Sequence, residues 1–207
     1  GLRNFERFNS VNHLQLSRLE ETVTEVMETR EQFAETEAEM LLEESATEGR
    51  IRHLSEQGIL ERYRYVLFST HGVFTPGDTS KSFLALNPSE SSGEGFDGML
   101  TPGDISTLAL SADLVFLSAC ETGLSEESKS EALLGLPYAF FLAGAKQVIA
   151  TFWNVDDESS RLFVTQFFRN LVNGSRTSVS QALRKTKIAF LRGDYPGYEH
   201  PRFWSGY

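Results

Sequence analysis

The apolar positions divide the chain into a helical first part and a longer stretch in which strands alternate with helices. Ser17 and Glu20 have the spacing of a capping box, and Leu19, Val23, Val26 and Met27 then share one helical face, which predicts a helix from about residue 17. Residues 40–42 are a short strand candidate. Ser45 and Glu48 form a second box, Ile51 and Leu54 supply an apolar stripe, and Gly58 is a fitting stop. Three runs are then apolar on both faces: Tyr-Val-Leu-Phe at 65–68, Leu-Val-Phe-Leu at 114–117 and Val-Ile-Ala at 148–150. Such runs predict strands covered on both sides, as in a parallel sheet.

Between the second and third run lies a predicted helix over about 131–142, closed by Gly144 and interrupted by Pro137, which should kink it. Strand, helix, strand makes a right-handed crossover unit. Asp156 and Asp157 open a predicted helix through Leu162, Phe163, Phe167, Phe168 and Leu171 to Gly174. Ser178 with Gln181 caps another that ends near Gly193. Residues 87–97 and 121–130 read as polar loops. Residues 204–207 read as the middle of a strand, and with Gly1 in place of a starting Met this suggests a fragment of a longer protein. The pattern as a whole is an α/β sandwich with a mostly parallel sheet.

Composition narrows the function classes. The 207 residues, 40% hydrophobic and 23% charged, can bury a core without a disulfide or metal staple. One cysteine allows no internal disulfide and suits a reducing cytoplasm. The net charge of −10, with 14 acids and 7 bases in residues 1–62, leaves no basic stripe for direct nucleic-acid binding. The acidic start is either a partner surface or a solvated helix face. No apolar stretch reaches the ~20 residues of a membrane span, and no signal peptide is visible.

The chemistry gathers where two predicted strands end, which is where open α/β sheets build their sites. One continues Ser69-Thr70-His71-Gly72 and the other Ser118-Ala119-Cys120-Glu121-Thr122-Gly123. If the strands are neighbours, His71 and Cys120 meet at one edge, and imidazole is the natural base for a thiol nucleophile. Gly72 lets the chain turn so that its N–H joins that of Cys120 as an oxyanion hole. A lone Cys after an apolar strand is often a small core residue. The pair at equivalent strand ends, with the His about 50 residues upstream, matches the caspase order. Position 126 is Glu126, not the Arg a phosphatase loop needs. The scattered His13, His53, His71 and His200 make no zinc cluster, and no phosphate loop of the Walker type appears, so no metal or other cofactor is expected.

These blocks resemble the CHAT family, a caspase-related group often attached to tetratricopeptide repeats. The resemblance also takes in Leu134-Gly135-Leu136, Ala143-Gly144-Ala145, Thr151-Phe152-Trp153-Asn154-Val155-Asp156-Asp157 and, more weakly, His200-Pro201-Arg202-Phe203-Trp204. It implies a caspase-like three-layer sandwich over residues 1–207, with 1–61 an acidic helical part and 62–207 the catalytic core. It implies a cysteine endopeptidase with His71 and Cys120 as catalytic pair and Gly72 as oxyanion donor. It implies a protein substrate, and an effector in bacterial defence or signalling switched on by an attached sensor or partner. The tryptophan block resembles its separase counterpart, although Asn154 stands where separases carry Asp, and would put Asp157 near the pocket for the residue before the scissile bond.

With Glu121, Asp156 and Trp153 also framing that pocket, a basic residue is expected there. Helix capping by Asp156 and Asp157, or an apolar pocket beside Trp153, are the alternatives. For the whole chain the alternatives are a catalytically silent assembly domain and a hydrolase of non-peptide amides.

Overall fold

The computed structural model describes residues 16, 19–33, 38–75, 78–88, 97–122, 129–174 and 177–207, with the backbone alone for 120–122 and 129–134. Ser17, residues 89–96 of the first polar loop and residues 123–128 of the second, Gly123 among them, lie outside the described residues. The fold is mixed α/β. The chain divides into two compact units, residues 1–18 with 41–150 and residues 19–40 with 151–207.

The first unit is built on five strands, β1 (Tyr65–Val73), β2 (Phe83–Ala85), β3 (Met99–Leu100), β4 (Leu114–Thr122) and β5 (Val148–Ala150), in the order β3-β2-β1-β4-β5. β1, β4 and β5 run parallel, and β2 is antiparallel to both β1 and β3. This mostly parallel open sheet with helices is compatible with a caspase-like sandwich. Leu114, Val115, Phe116 and Leu117 of β4 are almost wholly buried, as their continuous apolar run predicts. Residues 65–68 of β1 are only half-buried.

Both long strands outrun their apolar segments. They stay in register through the polar residues up to Val73↔Thr122, because ladder pairing needs backbone groups and not apolar side chains.

The crossover from β4 to β5 passes through a helix at Lys129–Leu142, which spans Pro137. Its Leu136, Ala139 and Phe140 join Ile105, Leu110 and Val115 in the core. At the start of the sheet, Asp113 ties three parallel strands together. It accepts from Arg64, just before β1, and from Lys146, just before β5, at 2.8 Å each. Those hydrogen bonds, Lys146 first and Arg64 next, hold its carboxyl below the usual range. A depressed carboxyl adds stability above the unfolded value of about 3.9, and loses it as pH falls through the folded value. The partners are exposed, so Asp113→Asn should cost under ~1 kcal/mol at pH 7. In urea melts that deficit should shrink as pH falls below 4, and a constant deficit would mean a packing role.

A helix at Glu48–Glu56 buries Ile51 and Leu54 and stops before Gly58, whose φ is +67°. Its cap is Thr47, which accepts from the N–H of Arg50, and not Ser45. Ser45 instead closes a short 3₁₀ turn by bonding Leu42, so residues 40–42 form no strand.

The second unit holds a helix at Thr22–Glu31 packed on one at Asp157–Val172, and that one on a third at Val179–Leu191. Numbered in chain order, the helices are α1 (Thr22–Glu31), α2 (Glu48–Glu56), α3 (Pro102–Ser106), α4 (Lys129–Leu142), α5 (Asp157–Val172) and α6 (Val179–Leu191). The core of this unit is aromatic. Phe163 stacks on Tyr207 at 4.0 Å between ring centres, and Phe167, Phe168 and Phe190 are fully buried. The Ser178–Gln181 capping box opens α6 as its sequence predicts.

α1 does not use the face predicted for it. Met27 is 50% exposed, while Glu25 and Thr29 are buried. The reason is electrostatic. Arg161 of α5 pairs with Glu21 at 2.7 Å and Glu28 at 2.8 Å, and Ser160 bonds Glu25, so the polar side of α1 turns inward. Residues 204–206 form a turn after a 3₁₀ segment at Pro201–Phe203, in place of the predicted strand.

Candidate active site

β1 and β4 bring the two candidate catalytic residues together by register. His71 and Cys120 are direct Cα partners on neighbouring parallel strands, and Gly72 partners Glu121. Neighbouring strands lie about 4.8 Å apart. The separation of 49 positions between His71 and Cys120 in the chain (120 − 71) therefore collapses to one rung near the carboxyl ends of both strands. His71 is buried, at 5% exposure. One residue before it, the Thr70 hydroxyl donates to the carbonyl of Ala85 and ties β1 to β2.

Gly72 does not turn the chain. It sits inside β1, in register with Glu121 on one side and Leu84 on the other. The glycine serves close packing: a Cβ there would stand 3.1 Å from Cε2 of Phe74 and 3.4 Å from Cβ of Ala119. The segment after β1 is held. Ser82 is fully buried and its hydroxyl accepts from the N–H of Thr75 at 3.1 Å, Lys81 pairs with Asp78 at 3.0 Å, and Gly135 of α4 leaves room for Thr79. Hydrogen bonds from Ser80 and then Lys81 keep the Asp78 carboxyl below its usual range.

The remaining predicted site residues belong to the second unit, where each has a local task. Asp156 is the N-cap of α5 and accepts the N–H of Ser159 at 3.0 Å. Asp157 Oδ2 accepts the N–H of Glu21 at 3.0 Å, at the start of α1. Glu158 accepts from the hydroxyl of Tyr198 at 2.7 Å, which pushes that phenol up to about 12. Trp153 donates its indole N–H to the carbonyl of Arg202, and Gly206 lies against its ring so closely that a Cβ there would stand 2.9 Å away. The capping alternative thus describes what Asp156 does. Among the described residues, no three His, Cys, Asp or Glu side chains converge as a metal site would require, and no helix is long and apolar enough to cross a membrane.

The strands of the candidate pair, the crossover helix and the tryptophan block fall within one family pattern: the CHAT domain model matches residues 1–207. The chain belongs to the CHAT domain family. Two relatives are the mouse and human proteins named tetratricopeptide repeat protein 28. The CHAT chain is 31% identical to the mouse protein over 111 residues and 30% identical to the human one over 115. Each match covers 53% of this chain and 4% of the relative, so the chain spans a small part of their length. The CHAT assignment carries a caspase-like fold and a peptidase-related family.

Sequence reasoning passed over β2, which pairs with β1, together with β3, which pairs with β2, and α3, which packs on α4. Their only cues were Thr101 and Asp104, the capping box that opens α3 with Pro102 behind it.

Proposed function

We propose that this CHAT domain is a regulated cysteine endopeptidase that cleaves a protein substrate through Cys120 and His71. The observation that carries the reading is the shared rung: a thiol and an imidazole at partnered positions of two parallel strands, at the edge where α/β folds build their sites. His71 takes the thiol proton of Cys120, and the sulfur attacks the scissile carbonyl carbon. The C–N bond then breaks as His71 returns that proton to the leaving amine, and water, deprotonated by His71, releases the acyl group from sulfur. The N–H groups of Cys120 and Gly72 are the oxyanion donors. Gly72 is enclosed by β2 and β4, so its N–H reaches an oxyanion only if the last rungs part. That requirement, with the burial of His71, supports a site completed on activation.

The activator we propose is an attached or partner tetratricopeptide-repeat segment, by analogy with the mouse and human relatives, which are named for such repeats. A role in defence or signalling rests on the family resemblance, and a cytoplasmic setting on the single cysteine. The ladder running past the dyad also favours a second reading, a catalytically silent domain used for assembly. A thiol-reactive peptide probe separates the two. It should label Cys120 of the full-length protein together with its activator, and lose that label in His71→Ala. No labelling under any condition favours the silent domain.

For specificity, a basic residue before the scissile bond remains our proposal, because the candidate pocket segments hold Asp78, Glu121, Asp156, Asp157 and Glu158 against Lys81 and Lys129. Asp157 already receives the Glu21 N–H, which an amide oxygen can also accept. Asp157→Asn should therefore keep the fold, and a peptide library should show a weakened Arg preference. An unchanged preference leaves Asp157 with capping alone.

A further inference from the structure

In an acidic chain, α6 is an exception. Residues 178–192 carry Arg184, Lys185, Lys187 and Arg192 and no Asp or Glu. Beside this helix lies a groove of about 480 Å³, lined by Arg184, Ile188, Leu183, Lys187, Leu191 and Trp204 among others. Arg184 and Ile188 lie on one i, i+4 row of α6, and Leu183, Lys187 and Leu191 on the adjacent row. Two such rows are the ridges between which another helix packs. Leu191 is 61% exposed, a large apolar side chain with little cover in this structure. Lys187 donates to the carbonyl of Tyr207, which fixes the ammonium at the groove wall.

We infer that this groove docks an acidic amphipathic helix of a partner protein. Three features select that occupant. The ridges suit a helix in preference to an extended strand. The apolar wall formed by Leu183, Ile188, Leu191 and Trp204 needs apolar anchors, which a phosphate backbone lacks. The local excess of bases in a chain of net charge −10 selects acidic flanks and disfavours basic ones. α6 has 13 residues, about 20 Å, so the docked helix is of similar length. This site is independent of the dyad, and Cys120→Ala should leave it intact.

The test uses the full-length protein and fluorescently labelled helical peptides read by anisotropy. One peptide carries Leu at i, i+4 spacing on one face and Glu elsewhere. A twin replaces Glu by Lys, and a second twin replaces Leu by Ala. The acidic peptide should bind saturably, and both twins at least about tenfold more weakly. Arg184→Glu and Leu191→Asp change exposed positions and should keep the melting profile while each weakens the acidic peptide by about tenfold. The inference is overturned by any of three results: no saturable binding of the acidic peptide, equal binding of the Lys twin or of both variants, or tighter binding of a single-stranded RNA oligonucleotide.

Discussion

Replacing either Cys120 or His71 by Ala should reduce substrate cleavage by at least about a thousandfold, and the double substitution should cost little more than either one. Non-additivity follows from the shared rung. Without its base the thiol is a weak nucleophile, and without the thiol the imidazole has no proton to take. The His71 substitution also acts on the fold. His71 is buried near the end of β1, so its loss leaves a small cavity worth about 1–3 kcal/mol. Urea melts of His71→Ala should therefore show a shifted midpoint, and activity should be measured where the variant is fully folded. His71→Gln fills more of the space and should recover stability without recovering cleavage, which separates the chemical role from the packing one.

Among the described glycines, Gly144 is the one where an added methyl meets backbone most closely, and Gly144→Ala should be strongly destabilising. Gly144 follows α4 with φ near +110°, a region L side chains rarely enter, and a Cβ there would stand 2.1 Å from the carbonyl oxygen of Leu110. Both partners are backbone, so neither can swing aside. The segment carries the chain from the crossover helix into β5, and Leu110 N–H donates to Ala143 at the same place. Strain and overpacking together should cost about 3–4 kcal/mol, which for a domain of this size lowers the melting temperature by roughly 10 °C. Gly58→Ala is the matched control. Its φ of +67° is also left-handed, but nothing lies within 4 Å, so it should cost only about 1 kcal/mol. Equal losses at the two positions would show that conformation alone, and not close approach, demands Gly144.

What could be read from the sequence was what burial and local chemistry dictate. The apolar runs starting at Tyr65, Leu114 and Val148 mark the start of three parallel strands. Asp156 and Ser178 cap the helices they were expected to open, and Gly58 and Gly144 carry the positive φ that ends theirs. The pairing of His71 with Cys120 was anticipated from their equivalent places after two such runs, and the register puts them on one rung.

Other features escaped for physical reasons. β2, β3 and α3 are too short to leave a period. β1 and β4 continue on backbone pairing that side-chain pattern does not report. The inward face of α1 is set by Arg161, more than a hundred residues away, so a stripe of Val23, Val26 and Met27 could not reveal it. Gly72 illustrates a further limit, since a glycine looks the same whether it serves a turn or, as here, the approach of Phe74 and Ala119.

The most direct test of the central claim is the rate at which iodoacetamide alkylates Cys120 at pH 7 in the full-length protein together with its activator, followed by mass spectrometry, with His71 intact and with His71→Gln. If the imidazole activates the thiol across the β1–β4 rung, the wild-type rate should exceed that of the variant by at least about tenfold. Equal rates in the two proteins, both folded, would contradict the dyad.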